Sequence, residues 1–144
     1  MQSPDSYPGR PIVVNQELLP SAARVVTGIG DVVVLDGFAV LYLQLDVTAA
    51  ATDAGDTLDI FLQTTIDGTN WVDIYHFTQA IGTGGAKRYF GKVMFDAALT
   101  EFENATALGV AAGRSIAGSQ YRVRWEIVEV DAAGFTFSVT ANGT

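Results

Sequence analysis

Cysteine is absent from the 144 residues, and histidine occurs once, at His76. The first absence removes disulfide scaffolds, thiol nucleophiles and Cys-ligated zinc; the second leaves almost no material for a histidine metal site or proton relay. Positive charge is scarce too, with eight Lys and Arg against sixteen Asp and Glu and a formal net charge of −8. A chain of that sign gains nothing by displacing counterions from phosphates, so neither nucleic acid nor an anionic membrane is an expected partner. Long apolar runs are also lacking. No segment has the length that crosses a bilayer, and the opening MQSPDSYPGRPIVV does not follow the basic-then-apolar order of a secretory signal.

What is present is apolar. Hydrophobic residues make up 49% of the chain and charged ones 17%, enough to form one packed core in a chain of single-domain length. Proline is confined to the beginning, at Pro4, Pro8, Pro11 and Pro20. Proline lacks an N–H and its ring clashes in a helix, which excludes a helix interior or a central strand there. Residues 1–20 therefore read as an extended N-terminal arm, and 21–144 as the folded domain. Ile12, Val13, Val14, Leu18 and Leu19 give the arm apolar groups that a purely solvated tail would not need, so they are its candidate contacts with a neighbouring subunit or partner.

From Ala23 onward the dominant period is two. Val25-Val26 and Val32 to Leu35 suggest short strands, each ending at a glycine-containing turn. Phe38 to Val47 places Leu41, Leu43, Leu45 and Val47 on one face. Thr57 to Ile66 does the same with Leu58, Ile60, Leu62 and Ile66, leaving Asp59, Gln63 and Thr65 on the other face. Asp67-Gly68 then predicts a hairpin into Trp71–Phe77, because both residue types tolerate positive φ. Lys87 to Phe95 is a further strand, and Asp96–Glu103 fits either a short helix or an irregular strand. Gln120–Val130 puts Tyr121, Val123, Trp125 and Ile127 inward and Arg122, Arg124 and Glu126 outward. Ala132-Ala133-Gly134 is expected to turn it back into a strand with Phe135, Phe137 and Val139 inward. Seven or eight strands without a helical period define an all-β chain: one antiparallel β-sandwich or jelly-roll-like barrel with the extended arm.

Candidate chemistry is sparse. His76, between Tyr75 and Phe77, reads as a packing residue and not as a general base, since no partner acid or nucleophile can be assigned to it. Asp53, Asp56 and Asp59 could offer oxygen ligands to a hard cation, but DAGDTLD does not match an EF-hand loop and aspartate beside glycine is ordinary turn chemistry. Thr65 to Trp71 is similar to the Asp-box turn of sialidase propellers, although one residue short and present once. Trp71 and Tyr75, two alternations apart, could form an exposed aromatic platform for a sugar ring. No catalytic residue, cofactor or enzymatic reaction is expected, and a binding or structural module suits this profile better.

The order of LQLDVTA, TLDIFLQ, the DGTNW turn, FTQ and a late YRVRW…FTFSVTA hairpin, across residues 21–144, resembles small β-sandwich virion proteins of tailed bacteriophages. The resemblance implies a capsid decoration (cement) protein made in the host cytoplasm and carried on the capsid surface. Its implied partners are the major capsid protein and further copies of itself, as a homotrimer. Neck, tail or baseplate proteins share the same signatures, and a carbohydrate-binding β-sandwich module is the alternative outside virions.

Overall fold

The computed structural model describes residues 13–128 and 134–144. Eleven strands and no helix occur among them: β1 (Val13–Arg24), β2 (Gly28–Ile29), β3 (Val33–Val34), β4 (Val40–Ala49), β5 (Thr57–Thr65), β6 (Trp71–His76), β7 (Ala80–Ile81), β8 (Lys87–Met94), β9 (Ala112–Gly113), β10 (Gln120–Val128) and β11 (Phe135–Gly143). They form two antiparallel sheets packed face to face, a β-sandwich. The four-stranded sheet runs β1-β11-β4-β8. The seven-stranded sheet runs β2-β10-β5-β6-β9, with β3 also on β10 and β7 also on β5.

Period-two patterning explains the core. Leu41, Leu43, Leu45 and Val47 from β4 meet Leu58, Ile60 and Leu62 from β5, with Val123 and Tyr121 from β10 and Phe135, Phe137 and Val139 from β11; all are buried. Ile66, expected on the same face as Leu62, lies beyond the end of β5 and is exposed.

Two expectations are corrected by the sheet pairing. Residues 13–20 do not stand apart as an arm: β1 continues through Pro20 to Arg24 and pairs with β11 along its length. Pro20 is tolerated because β1 is an edge strand, where a missing N–H can face away from the ladder. Leu18 and Leu19 are core residues, buried between the sheets, and so are not available to a partner. Val13 packs partly against the core, Val14 is exposed, and Ile12 lies outside the described residues. Secondly, β10 and β11 are not a hairpin. They belong to different sheets, so the chain crosses the sandwich between them. Alternation marks which face of a strand is buried, but not which sheet the strand joins. The predicted hairpin between β5 and β6 does form, and 95–111 contains neither helix nor strand.

Candidate functional site

The turn between β5 and β6 is held by one carboxylate. Asp67 Oδ1 accepts from the backbone N–H groups of Thr69 (2.8 Å) and Asn70 (2.7 Å), Oδ2 accepts from Asn70 Nδ2 (2.6 Å), and the Gly68 N–H donates to Thr65 Oγ1 at 3.0 Å. These donors hold the Asp67 carboxyl far below the usual carboxylate range. Gly68, at φ 81, supplies the left-handed conformation of the turn. Beyond it lies a cavity of about 660 Å³ lined by Asn70, Trp71, Leu99, Glu101, Phe102 and Asn104 among others.

Trp71 and Tyr75 are not a platform. The pairing of β5 with β6 shifts register between Leu62↔Tyr75 and Gln63↔Asp73, and this bulge breaks the alternation that would have kept the two aromatics together. Tyr75 enters the core, edge-on to Phe77 with ring centroids 4.9 Å apart. Trp71 stays half-buried on the outer face, with the Arg122 guanidinium 4.1 Å from its ring centroid.

That outer face is an ordered lattice across β10, β5 and β6. Register aligns Arg124 with Phe61 and Phe61 with His76; the next row aligns Arg122, Gln63 and Asp73. Arg124 stacks on Phe61 at 3.7 Å and grips Asp73 through two bonds, Nε to Oδ1 and Nη2 to Oδ2, each 2.8 Å. Its Nη1 donates to Glu126 at 2.7 Å. Gln63 donates to Asp73 Oδ1 and accepts from Arg122 Nε. Burial alone would raise the Asp73 carboxyl, but the bonds from Arg124 and Gln63 prevail and hold it below its ordinary value; the bonds to Asp73 and Glu126 push Arg124 upward.

His76 stacks on Phe61 at 4.0 Å, with Nε2 2.9 Å from Asp59 Oδ1 and Nδ1 3.0 Å from the Leu108 carbonyl. Both neighbours can accept from the ring, and the bond to Leu108 ties segment 95–111 to the sheet. The partner acid that the sequence could not assign to His76 is thus Asp59, brought to it by the β5–β6 register. Asp59 is taken up by His76 and by Gln79 Nε2 at 2.7 Å. Asp53 and Asp56 lie in the β4–β5 turn, where the Asp56 N–H donates to the Asp53 carbonyl and the Asp56 carbonyl accepts from Gly82. Among the described residues no group of three or more His, Asp or Glu could hold a metal ion, so the three aspartates do not assemble into a cation site.

Sequence reading missed Phe61 and Asp73. Their signal was faint: an outward position on a strand whose other outward residues are polar, and an acid within a bulge that alternation cannot register. It also missed the edge made by residues 25–34. Here Val25, Val26, Ile29, Val32 and Val34 are all exposed, beside β10. Val26 and Val34 are 70% and 67% exposed.

No family model, curated protein or solved structure matches the chain.

Proposed function

We propose that the chain is a structural component of a bacteriophage virion, of the capsid decoration type. It binds the outer surface of the major capsid lattice as a small homo-oligomer, a trimer, and stabilises the mature head. The observation that supports this reading best is the aliphatic edge at Val25, Val26, Ile29, Val32 and Val34. A row of exposed aliphatic side chains on a sheet edge is costly in water and invites burial by another protein surface. A molecule that binds the mature lattice and not its dissociated subunits stabilises that lattice by mass action. The resemblance rests on the strand order quoted above, whose last two segments join different sheets, and the lattice of Arg124, Asp73 and Phe61 supplies a rigid scaffold.

The test is the copy number of the chain per purified virion, together with the mass of the isolated protein. Copies in fixed small ratio to the capsid subunit, and a trimer that Val26→Asp with Val34→Asp converts to monomer, support the reading. A few dozen copies or fewer assign the chain to neck, tail or baseplate. Absence from particles overturns the virion reading.

One observation favours a second reading, a carbohydrate-binding module. The cavity beside Trp71 combines an indole and Phe102 with the amides of Asn70 and Asn104 and the Glu101 carboxylate, the mixture of flat apolar surface and polar groups that holds a sugar ring. It predicts that oligosaccharides quench tryptophan fluorescence and that Trp71→Ala abolishes the response. A flat titration rejects it.

A further inference from the structure

β8 is the outer strand of the four-stranded sheet, and its sequence KRYFGKVM holds Lys87, Arg88 and Lys92, three of the eight Lys and Arg. Both lysines of the chain are here. Cations elsewhere among the described residues are committed internally. Arg24 donates to the carbonyls of Pro20, Ala22 and Phe137, and Arg114 to those of Asp73 and Thr106; Arg122 and Arg124 belong to the lattice already described. On β8, Arg88 reaches Asp46 at 3.4 Å while remaining exposed. No hydrogen bond or ion pair reaches the ammonium group of Lys87 or Lys92 among the described residues.

On the same side no hydrogen bond among the described residues reaches the outward backbone groups of β8, although Gly113 of β9 lies against the Lys92 carbonyl. The Phe95 N–H donates to the Ala39 carbonyl, so by alternation the odd-numbered residues of β8 face β4, while Arg88, Phe90, Lys92 and Met94 direct their N–H and C=O groups off the sheet. Phe90 is 72% exposed, with Tyr42 and Met94 also exposed beside it. A shallow cavity of about 490 Å³, lined by Tyr42, Phe90, Gly91, Lys92 and Gly113 among others, follows this edge.

We propose that the outer edge of β8 binds an extended acidic segment of a partner protein, which adds to the sheet as a further strand. Charge selects this occupant. Lysines on an edge oppose addition of a neutral strand, because their charge would be desolvated without compensation. Two β8 edges cannot serve each other, since pairing would set the cations of one copy against those of the other. A segment bearing carboxylates turns both penalties into attraction, while main-chain hydrogen bonds and an apolar side chain against Phe90 and Tyr42 supply affinity. The inference is independent of the virion reading, which concerns the opposite sheet's edge.

The probe is a fluorescein-labelled peptide matched to the eight residues of β8 that repeats Glu-Thr-Val-Thr, so that carboxylates and valines share one face as Lys92 and Phe90 do, with a Lys-Thr-Val-Thr repeat as control. Binding is read by anisotropy over a salt series and located from amide shifts of the full chain. Expected are binding of the acidic peptide that weakens as salt rises, and shifts centred on Arg88, Phe90 and Lys92. Lys87→Glu with Lys92→Glu should weaken binding by about tenfold or more, and Phe90→Ala should weaken it at unchanged melting temperature. No binding at low salt, equal binding by the charge-reversed variant, or shifts centred elsewhere overturns the proposal. So does tighter binding of a single-stranded oligonucleotide or of anionic phosphatidylserine vesicles, which would make the edge a phosphate-binding surface.

Discussion

On the outer face of the seven-stranded sheet, Arg122 and Arg124 both end on partners within the molecule, and the aromatics Phe61 and Trp71 lie beneath them. On the outer face of the four-stranded sheet, the Lys92 ammonium group has no partner among the described residues and Phe90 faces solvent uncovered. The contrast separates two uses of charge that composition alone cannot distinguish. Arginine in fork geometry over an aromatic ring builds scaffold, because its planar head pairs and stacks at once. Lysine beside a bare phenylalanine on an open edge builds little within the molecule and is left for something outside it.

The contrast can be broken from the scaffold side first. Leu18→Ala removes a fully buried side chain of β1 and should cost about 2–5 kcal/mol, seen as a lowered midpoint in urea; removal of residues 1–19 should then prevent folding. A truncated chain that melts like the full one would restore the separable arm. Asp73→Asn leaves the Arg124 guanidinium without its carboxylate. The pair lies between surface and interior, so a loss of about 1–3 kcal/mol is expected.

The same pair predicts a pH signature. Because the Asp73 carboxyl titrates below its ordinary value, the unfolded chain takes up the proton first on acidification. The contribution is fully present above about pH 3.9 and is lost as pH falls through the lower folded value. Denaturation midpoints of wild type and Asp73→Asn should therefore converge as the solution is acidified below that range; a constant gap would show that the stabilisation is not ionic. Smallest of all should be Phe90→Ala, within about 0.5 kcal/mol, since its ring packs against so little. A large destabilisation there would erase the distinction between the two faces.

The all-β class, the positions of the long strands and the inward sets of β4, β10 and β11 were legible in the sequence, because burial on one face imposes a period of two that polar residues cannot imitate. Three features were not. The boundary at residue 20 failed because proline forbids a central strand but permits an edge one, and sequence does not say which edge is open. The late hairpin failed because β10 and β11 carry equal alternation yet join different sheets. The Trp71–Tyr75 platform failed at the bulge between them, a backbone event without a compositional signature. The candidate site fared worse than the fold for a related reason: Arg124, Phe61 and His76 come from three separate strands, and only the register brings them into a row.

The pairing of β1 with β11, from Val13 opposite Gly143 to Arg24 opposite Phe135, joins the first and last strands of the described residues. Emerging from a ribosome, the first long strand must wait for the last before its sheet can close, and Leu18 and Leu19 stay uncovered in the meantime. Such distant pairing places the protein among slow folders, in the range of milliseconds to seconds, and leaves apolar strand surface open to misassembly until the sheet closes.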